Sequence, residues 1–489
     1  MKKIFYAGLF ILSGVFLMQS CNTDDFLNTP APSLTDAAYF SNDDAVITAL
    51  AGVYDPMGWY NFSQLTEWAI GDACSDDAEK GGGGDGDYAE IFALTQFTAN
   101  AENPLVLQRW NDLYVGINRA NKLIEGLTDN EKISSSVQKR VMGEARFLRA
   151  FYHFYLVKTF GPIPIVDHIL SPSEYHPKRN SLEECWAFIE SDLKAAAAVL
   201  PKKSQLPGTE IGRATWGAAS AFLTKAYIFQ EKWPEAEALA KEIVNSGEYD
   251  LEPNYGDIFT MATDNGIESV FDIQFKDFMM PGWLDENEGC HLEVMHRSRD
   301  DRNGGWGFDQ PTQDLYDEFE EGDIRREWTI ISDGDTLWKG TPDEEIIYTA
   351  KDPVHHPDSY TGYHKRKGTL PASQRGNGED QAGLNLRVIR FAEVLLWQAE
   401  AAVHNGSDWE TPLNRVRARV GLGPTPISDP LEAVYHERRV ELAMESHRYW
   451  DLVRTGRGNL IPGYTDNKRY LLIPQVEINL NPNLEQNPY

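Results

Sequence analysis

The sequence predicts a mostly α-helical protein in which helical hairpins form a scaffold and a second, irregular lobe is rich in loops. Apolar residues recur at the spacing of amphipathic helices over long stretches before residue 250 and after residue 384. Between about residues 251 and 383 this helical period largely disappears. So long a stretch without periodicity inside a compact protein favours functional loops.

Helices are predicted over residues 43–54, 104–127, 137–158, 182–200, 212–230, 233–246, 387–404 and 411–420. Gly161-Pro162 and Pro201 stop two of them, and Trp233-Pro234 opens another. The pair over 212–246 is loosely like a tetratricopeptide unit, with Trp and Ala at the crossing points, and 387–420 looks like a second pair. The scaffold is therefore expected to be tetratricopeptide-like and to cover about residues 35–250 and 384–460.

The loop-rich lobe is expected over about residues 60–103 and 251–383. Within it, Phe271, Ile273 and Phe275 alternate with polar residues and predict a short strand. A loop-like insertion is predicted over residues 72–103, and it contains the glycine-rich run 81–86.

Charge excludes one class of function. The chain has 489 residues, with 45 Lys and Arg against 75 Asp and Glu, which gives a formal net charge of −30. The negative electrostatic potential of a protein with this charge repels the phosphates of nucleic acids. We therefore expect no nucleic-acid partner.

The N-terminal residues predict secretion and a lipid anchor. Lys2 and Lys3 precede an apolar run over residues 4–18, which is too short for a permanent membrane span. Residues 1–20 are interpreted as a signal peptide, and Cys21 after them resembles the lipidated cysteine of bacterial lipoproteins. The alternative is ordinary secretion, with Cys21 incidental.

Two motifs in the chain resemble known binding sites, but each lacks a feature that such a site requires. Gly81, Gly83 and Gly86 satisfy G-x-G-x-x-G, yet neither a strand before them nor a helix after them is predicted. His436-Glu437 begins like a zinc-protease helix, but the second histidine position holds Val440. We expect no cofactor. Calcium on the acidic loop remains an alternative, with the candidate ligands Asp72, Asp76, Asp77, Asp85, Asp87 and Glu90.

A row of carboxylates on one predicted helix has two interpretations. Glu437, Glu441 and Glu445 share a face, as paired catalytic carboxylates of a glycosidase could. A structural ion-pair network, with Glu441, Glu445, Arg448 and Asp451 joined to Arg415 and Arg417, explains the same residues and is preferred. Cys74, Cys185 and Cys290 have no metal-site spacing and are expected to be buried structural thiols.

Several stretches of the chain carry motifs that are modest singly and specific in their order. They are DFL at 25–27, GEARFLRA at 143–150, FGPIP at 160–164, IRFAEVLL from 389, NRVRAR at 414–419, ERRVELAME through RYWDL at 437–452, and LIP through NPNLEQNPY at 472–489. In this order they resemble the SusD/RagB-like surface lipoproteins that serve nutrient uptake in Bacteroidetes. The resemblance covers nearly the whole chain.

This resemblance implies a helical fold with four tetratricopeptide-like pairs and an irregular ligand-binding lobe. It also implies a surface position at the cell outer membrane and a partner, a SusC-like TonB-dependent transporter that the lipoprotein covers as a lid. Members bind oligosaccharides, or peptides in one branch, and are not enzymes. A surface glycoside hydrolase is the alternative from another class.

The ligand-binding residues must be predicted from chemistry, because the shared motifs belong to the scaffold. A sugar ring has apolar faces and hydroxyl edges, so a glycan site combines aromatic planes with polar side chains. Trp283 and Trp306 lie in loop segments flanked by Gly and by carboxylate or amide residues, and they are the first candidates. Tyr88 in the glycine-rich loop and Trp59-Tyr60 after the first helix are weaker candidates, and core packing is the alternative for each.

Overall fold

A computed structural model describes the chain over residues 36–276, 289–300, 303–348, 359–375 and 381–489, with the backbone of 351–352 and 356–357. The predicted signal peptide, Cys21 and Trp283 lie outside the described residues. Within these ranges, no helix is both long enough and apolar enough to cross a membrane.

The first half of the chain is helical close to the predicted positions. Its helices are α1 Asp36–Tyr39, α2 Asp43–Tyr54, α3 Glu67–Gly71, α4 Ala89–Thr95, α5 Pro104–Leu127, α6 Ser135–Phe160, α7 Leu182–Ala197, α8 Trp216–Phe229 and α9 Trp233–Asn245, with a π-helical segment at Tyr60–Thr66. The Asn42 side chain accepts from the N–H of Ala45 to cap α2, and Asn103 caps α5 in the same way, directly before Pro104. These local signals fix the helix starts.

The second half has shorter elements. Its helices are α10 Leu292–His296, α11 Gln313–Glu318, α12 Arg325–Thr329, α13 Phe391–Asn405, α14 Glu410–Arg419, α15 Pro430–Leu442, α16 Arg448–Arg454 and α17 Gln475–Leu480. The strands of the described chain are β1 Ala78–Gly81, β2 Ser269–Ile273, β3 Phe308–Pro311, β4 Ile330–Ser332, β5 Thr336–Leu337, β6 Glu345–Ile346, β7 Lys351–Asp352, β8 His356–Pro357, β9 Tyr363–Lys365 and β10 Leu386–Arg390. They pair antiparallel, two by two, as β1–β3, β2–β10, β4–β9, β5–β6 and β7–β8.

The scaffold is a continuous array of packed helices. Helices α5 to α9 each pack on the next one along the chain, α9 packs on α13, and α13 packs on α14 and α15. One large buried cluster of apolar side chains runs through this array from α2 to the C-terminal residues. The predicted helical-hairpin scaffold is confirmed, and Cys74, Cys185 and Cys290 are buried and unpaired, as expected.

Two predicted segments differ from the structure. The helix predicted from residue 387 begins at Phe391, because residues 386–390 form β10, whose Leu386 pairs with Ile273 of β2. The insertion over 72–103 is not loop throughout, because it contains β1 and α4. Residue Ala78 of β1 pairs with Pro311 of β3, so this strand depends on a distant partner and leaves no local pattern.

Candidate functional site

The glycine-rich loop between β1 and α4 has a conformation that only glycine accommodates. Gly81, Gly82 and Gly84 have φ of +67°, +74° and +119°, in the region where other residues are strained. A Cβ atom on Gly82 would lie 2.3 Å from the ring of Phe308, and one on Gly83 would lie 2.7 Å from the guanidinium of Arg299. The glycines therefore let this backbone approach β3 and its neighbours closely.

Lys80 holds this loop from the inside. Its ammonium donates to the carbonyl oxygens of Gly81 at 3.0 Å, Gly84 at 3.0 Å and Asp87 at 2.7 Å. It also lies 5.3 Å from the ring centroid of Phe308. Burial lowers the pKa of this amine, and the loop carbonyls supply the acceptors that a buried cation needs. One side chain thus fixes the loop at three points.

Two of the predicted aromatic residues meet beside this loop. The hydroxyl of Tyr88 is hydrogen-bonded to that of Tyr60 at 2.8 Å, and the Tyr88 ring meets Phe308 edge-on with centroids 5.6 Å apart. Trp306 packs against the same buried cluster, which includes Trp68 and Phe308. Tyr60, Tyr88 and Trp306 are all half-buried. Tyr88 and Trp306 therefore pack on the same buried cluster, and the Trp306 carbonyl oxygen lies 3.4 Å from the guanidinium of Arg299, which contacts the loop at Asp87.

A charge pair and a tyrosine border these aromatics. A guanidinium nitrogen of Arg299 lies 3.0 Å from a carboxylate oxygen of Asp87, and the same oxygen accepts from the N–H of Gly83 at 2.7 Å. The two side chains are 38% and 33% exposed, so solvent or a ligand reaches both. Tyr360 is 41% exposed, and its hydroxyl lies 3.3 Å from where a Cβ on Gly84 would stand.

We call this surface the glycine-loop face, which is formed by residues 81–88 with Tyr60, Arg299, Trp306 and Tyr360. It offers partly exposed aromatic rings for apolar contact and a guanidinium, a carboxylate and phenols for hydrogen bonds. Because Lys80 fixes the loop, the face is preformed. Little conformational entropy is therefore lost when a ligand binds there.

Trp59 lies in different surroundings from the other candidates. Its ring faces the guanidinium of Arg119, 5.2 Å from the ring centroid, and its indole N–H donates to Asp55 at 3.1 Å. Arg119 lies on scaffold helix α5, and Asp55 directly follows scaffold helix α2.

Three of the six acidic residues considered as calcium ligands, Asp76, Asp77 and Asp87, are paired with arginines. Two oxygens of Asp76 accept from Arg448 at 2.8 and 2.7 Å, and Asp77 accepts from Arg439 at 2.8 Å. Burial opposes the ionisation of Asp76, but Arg448 outweighs it and holds the pKa below its usual value. Among the described residues, no group of three or more His, Cys, Asp or Glu has an arrangement suited to a metal ion.

The carboxylate row of α15 is enclosed by arginines. Glu441 contacts Arg325 at 3.1 Å, Arg390 at 2.9 Å and Arg419 at 2.5 Å. Although burial opposes its charge, these three cations lower the pKa of Glu441. Glu437 pairs with Arg325, and its side chain, like that of Glu441, is fully buried. The structural interpretation is favoured, because a substrate has no access to these groups.

The remaining partners in this network are partly as predicted. Arg417 contacts Glu437 at 3.0 Å, whereas the prediction for Arg415 is wrong. Arg415 points to the surface and pairs with Asp250 at 2.7 Å. Arg415 and Arg417 are two positions apart on α14 and therefore point to nearly opposite faces of the helix, so only Arg417 reaches the buried network.

Sequence reasoning missed two members of the glycine-loop face, Arg299 and Tyr360. The Arg299–Asp87 contact joins residues 212 positions apart, and no local motif signals it. Tyr360 stands near Gly362 in a polar segment, the same loop-aromatic signal that singled out Trp306.

Comparison with known proteins identifies the family. A family described as "SusD family" matches residues 267–465, and one described as "Starch-binding associating with outer membrane" matches residues 78–228. A solved structure named as a laminarin-binding SusD-like protein is 31% identical, with a TM-score of 0.82, over 92% of this chain and 99% of that chain. This chain belongs to the SusD family.

Other SusD relatives extend over the same length. SusD-like protein P2 of Formosa agariphila is 27% identical over 97% of both chains. The structure of surface glycan-binding protein A from Bacteroides uniformis is 26% identical, with a TM-score of 0.79, over 91% of this chain and all of that one. The glycine-loop face draws on both matched segments, since the loop lies in one and Arg299, Trp306 and Tyr360 lie in the other.

Proposed function

We propose that this SusD-family protein binds oligosaccharide or polysaccharide chains at the glycine-loop face and has no catalytic activity. The observation that carries the proposal is the pairing of half-exposed aromatic rings, Tyr88 and Trp306, with the accessible Arg299–Asp87 pair on a fixed loop. Sugar rings need both kinds of contact. The names of the relatives, laminarin-binding and surface glycan-binding, point to the same ligand class.

The proposal includes the place of the protein and its partner. Cys21 would carry a lipid that holds the protein at the surface of the outer membrane, and a SusC-like TonB-dependent transporter would receive the glycan from it. The description of the second matching family, as associated with the outer membrane, supports this position. Exchange of Cys21 for Ala is expected to release the protein from membranes. A variant that still partitions with detergent-phase membranes would refute the anchor.

A binding screen tests the ligand class directly. The purified full-length protein is measured by calorimetry against laminarin, soluble starch, other polysaccharides and a set of peptides. Saturable binding of a polysaccharide, unchanged by EDTA, is the expected result. Binding of peptides and of no glycan would assign the protein to a peptide-binding branch, and a loss of binding in EDTA that calcium restores would assign a calcium cofactor.

The hydrolase alternative is tested with the same protein and polysaccharide in a separate assay. Incubation of the bound polysaccharide with the protein is expected to yield no new reducing ends. The carboxylates that suggested a glycosidase, Glu437 and Glu441, are fully buried against arginines. Release of reducing sugar that stops on substitution of Glu441 would reverse this judgement.

A further inference from the structure

A second pair of aromatic side chains lies outside the glycine-loop face. The rings of Tyr316 on α11 and Tyr363 at the start of β9 are stacked, with centroids 5.0 Å apart and planes 16° from parallel. The guanidinium of Arg326 lies 4.7 Å from the Tyr316 centroid. Both tyrosines are half-buried against a small cluster that includes Leu315 and Met444. The pair is thus supported from below and reaches the surface.

Polar groups border this pair as they border the glycine-loop face. The Tyr363 hydroxyl donates to the Gln313 side chain at 2.8 Å, and the Gln313 amide donates to Asp317 at 2.9 Å. Both hydrogen bonds are exposed to solvent. Packing on the cluster does not require the Tyr363 hydroxyl or its hydrogen bond to Gln313, because an apolar ring would fill the same space. Aromatic rings with an amide, a carboxylate and a guanidinium around them are the combination that a sugar chain needs.

A tight turn connects the two aromatic surfaces. Tyr360 belongs to the glycine-loop face and Tyr363 to the stacked pair. Their Cα atoms are three residues apart along the backbone, which spans at most about 10 Å. The Ser359 hydroxyl accepts from the N–H groups of Gly362 at 2.9 Å and Tyr363 at 3.1 Å, so the segment is folded back and the span is shorter. Tyr360 itself is fixed, since its N–H donates to the Gln310 side chain at 2.7 Å. A ligand longer than a few sugar units can therefore reach from one surface to the other.

Resting on the proposed function, we propose that the Tyr316–Tyr363 pair is a second aromatic subsite, which takes sugar units of a glycan chain that extends beyond the glycine-loop face. The substrate class is then a polymer or a long oligosaccharide. A short oligosaccharide occupies the glycine-loop face alone and gains nothing from Tyr363.

Length-dependent binding tests this subsite. The variant Tyr363→Leu keeps an apolar side chain on the cluster but removes the ring and hydroxyl. The probes are laminarin, laminarihexaose and laminaritriose, with soluble starch, maltohexaose and maltotriose in parallel. We expect Tyr363→Leu to weaken binding of the polymer and hexamer by at least about fivefold, as for a contact that contributes to binding, and that of the trimer by less than about twofold. Tyr175→Leu, at a tyrosine that is 57% exposed on the scaffold, is the matched control and should change neither.

A measurement on the wild-type protein tests the same subsite without a substitution, so the result does not depend on whether Tyr363→Leu folds. Tetranitromethane nitrates accessible tyrosines, and peptide mass spectrometry reports Tyr363 separately. Polymer is expected to protect Tyr363, and the trimer is not.

The failures of the two proposals are distinguishable. Polymer binding by wild type that is unchanged in folded Tyr363→Leu, or a loss that is equal for trimer and polymer, would overturn the second subsite and leave the glycan-binding function standing. No binding of any glycan by wild type would overturn both.

Discussion

The charged residues of helix α15 and those of the glycine-loop face differ in how far solvent reaches them. Glu437, Glu441 and their partner Arg325 have fully buried side chains, and every charge there faces opposite charges. The side chains of Arg299 and Asp87 on the glycine-loop face are each about one-third exposed, and they pair with each other.

This difference separates two roles for the same residue types. A buried ion pair is costly to assemble and more costly to break, so an enclosed network fixes how helices and loops are arranged. A half-exposed pair retains donors and acceptors for a ligand. Carboxylates in a row therefore suggest chemistry in the sequence, whereas their enclosure in the structure favours a scaffold role.

The largest effect is expected from breaking the enclosed network. Substitution Glu441→Ala leaves Arg325, Arg390 and Arg419 without their common partner, and loss of one member of a buried pair costs about 3–5 kcal/mol of unfolding free energy. Glu432→Ala on the same helix is the control, because Glu432 is 60% exposed and pairs with Arg457 at 3.6 Å, and it should cost less than about 1 kcal/mol. Chemical denaturation measures both. Equal stability of Glu441→Ala and wild type would refute the network.

The difference in stability between wild type and Glu441→Ala is expected to depend on pH. The folded pKa of Glu441 is lowered by the three arginines, so its contribution to stability is present above the unfolded pKa of about 4.3 and is lost as pH falls toward the folded value. The gap in melting temperature between wild type and Glu441→Ala should therefore narrow below about pH 4. A gap that stays constant down to pH 2 would contradict this assignment.

A smaller effect, on binding rather than stability, is expected at the glycine loop. Lys80→Met removes the three hydrogen bonds that fix the loop, so glycan affinity should fall about three- to tenfold, or about 1 kcal/mol, with helical circular dichroism retained. Lys139→Met, at an exposed lysine on α6, is the matched control. Unchanged affinity in Lys80→Met, measured by calorimetry, would show that the loop needs no such support.

The smallest effect concerns a buried carboxylate pair below the glycine-loop face. Asp72 and Asp309 approach Lys365 at 3.8 and 2.8 Å, and His296 lies 3.8 Å from Asp309. Burial and the nearby Asp309 charge raise the pKa of Asp72, so its ionisation destabilises the fold as pH rises through that pKa. Asp72→Asn removes the titrating group and should be more stable than wild type at pH 8.5, by on the order of 1 kcal/mol, with the difference vanishing only toward about pH 4, near the pKa of Asp in the unfolded chain. Thermal melts at both pH values test this, and a variant less stable at pH 8.5 would contradict it.

Local signals made much of the scaffold predictable from the sequence. Helices α2 and α5 have the predicted bounds because Asn42 and Asn103 cap them and Pro104 occupies the first turn of α5. Elements that depend on distant partners were not predictable in the same way. Residues 387–390 are predicted as the start of a helix but belong to β10, because β2 pairs with them.

The candidate site was predictable only in part for the same reason. Tyr88 and Trp306 stand out as aromatic residues beside glycines in loops, and both pack on the same buried cluster. Arg299 and Lys80 gain their roles from contacts with the folded loop, and no spacing in the sequence indicates them.

The central claim, that the glycine-loop face binds glycan through its aromatic residues, is tested most directly by calorimetry on one double variant. The polysaccharide that wild type binds, laminarin or starch, is titrated into Tyr88→Ala/Trp306→Ala and into Trp59→Ala, whose tryptophan is held by Arg119 and Asp55. The account predicts a loss of at least about thirtyfold in the double variant, or about 2 kcal/mol, with the melting transition retained, and a change of less than about threefold in Trp59→Ala. Unchanged affinity in the folded double variant would contradict the claim.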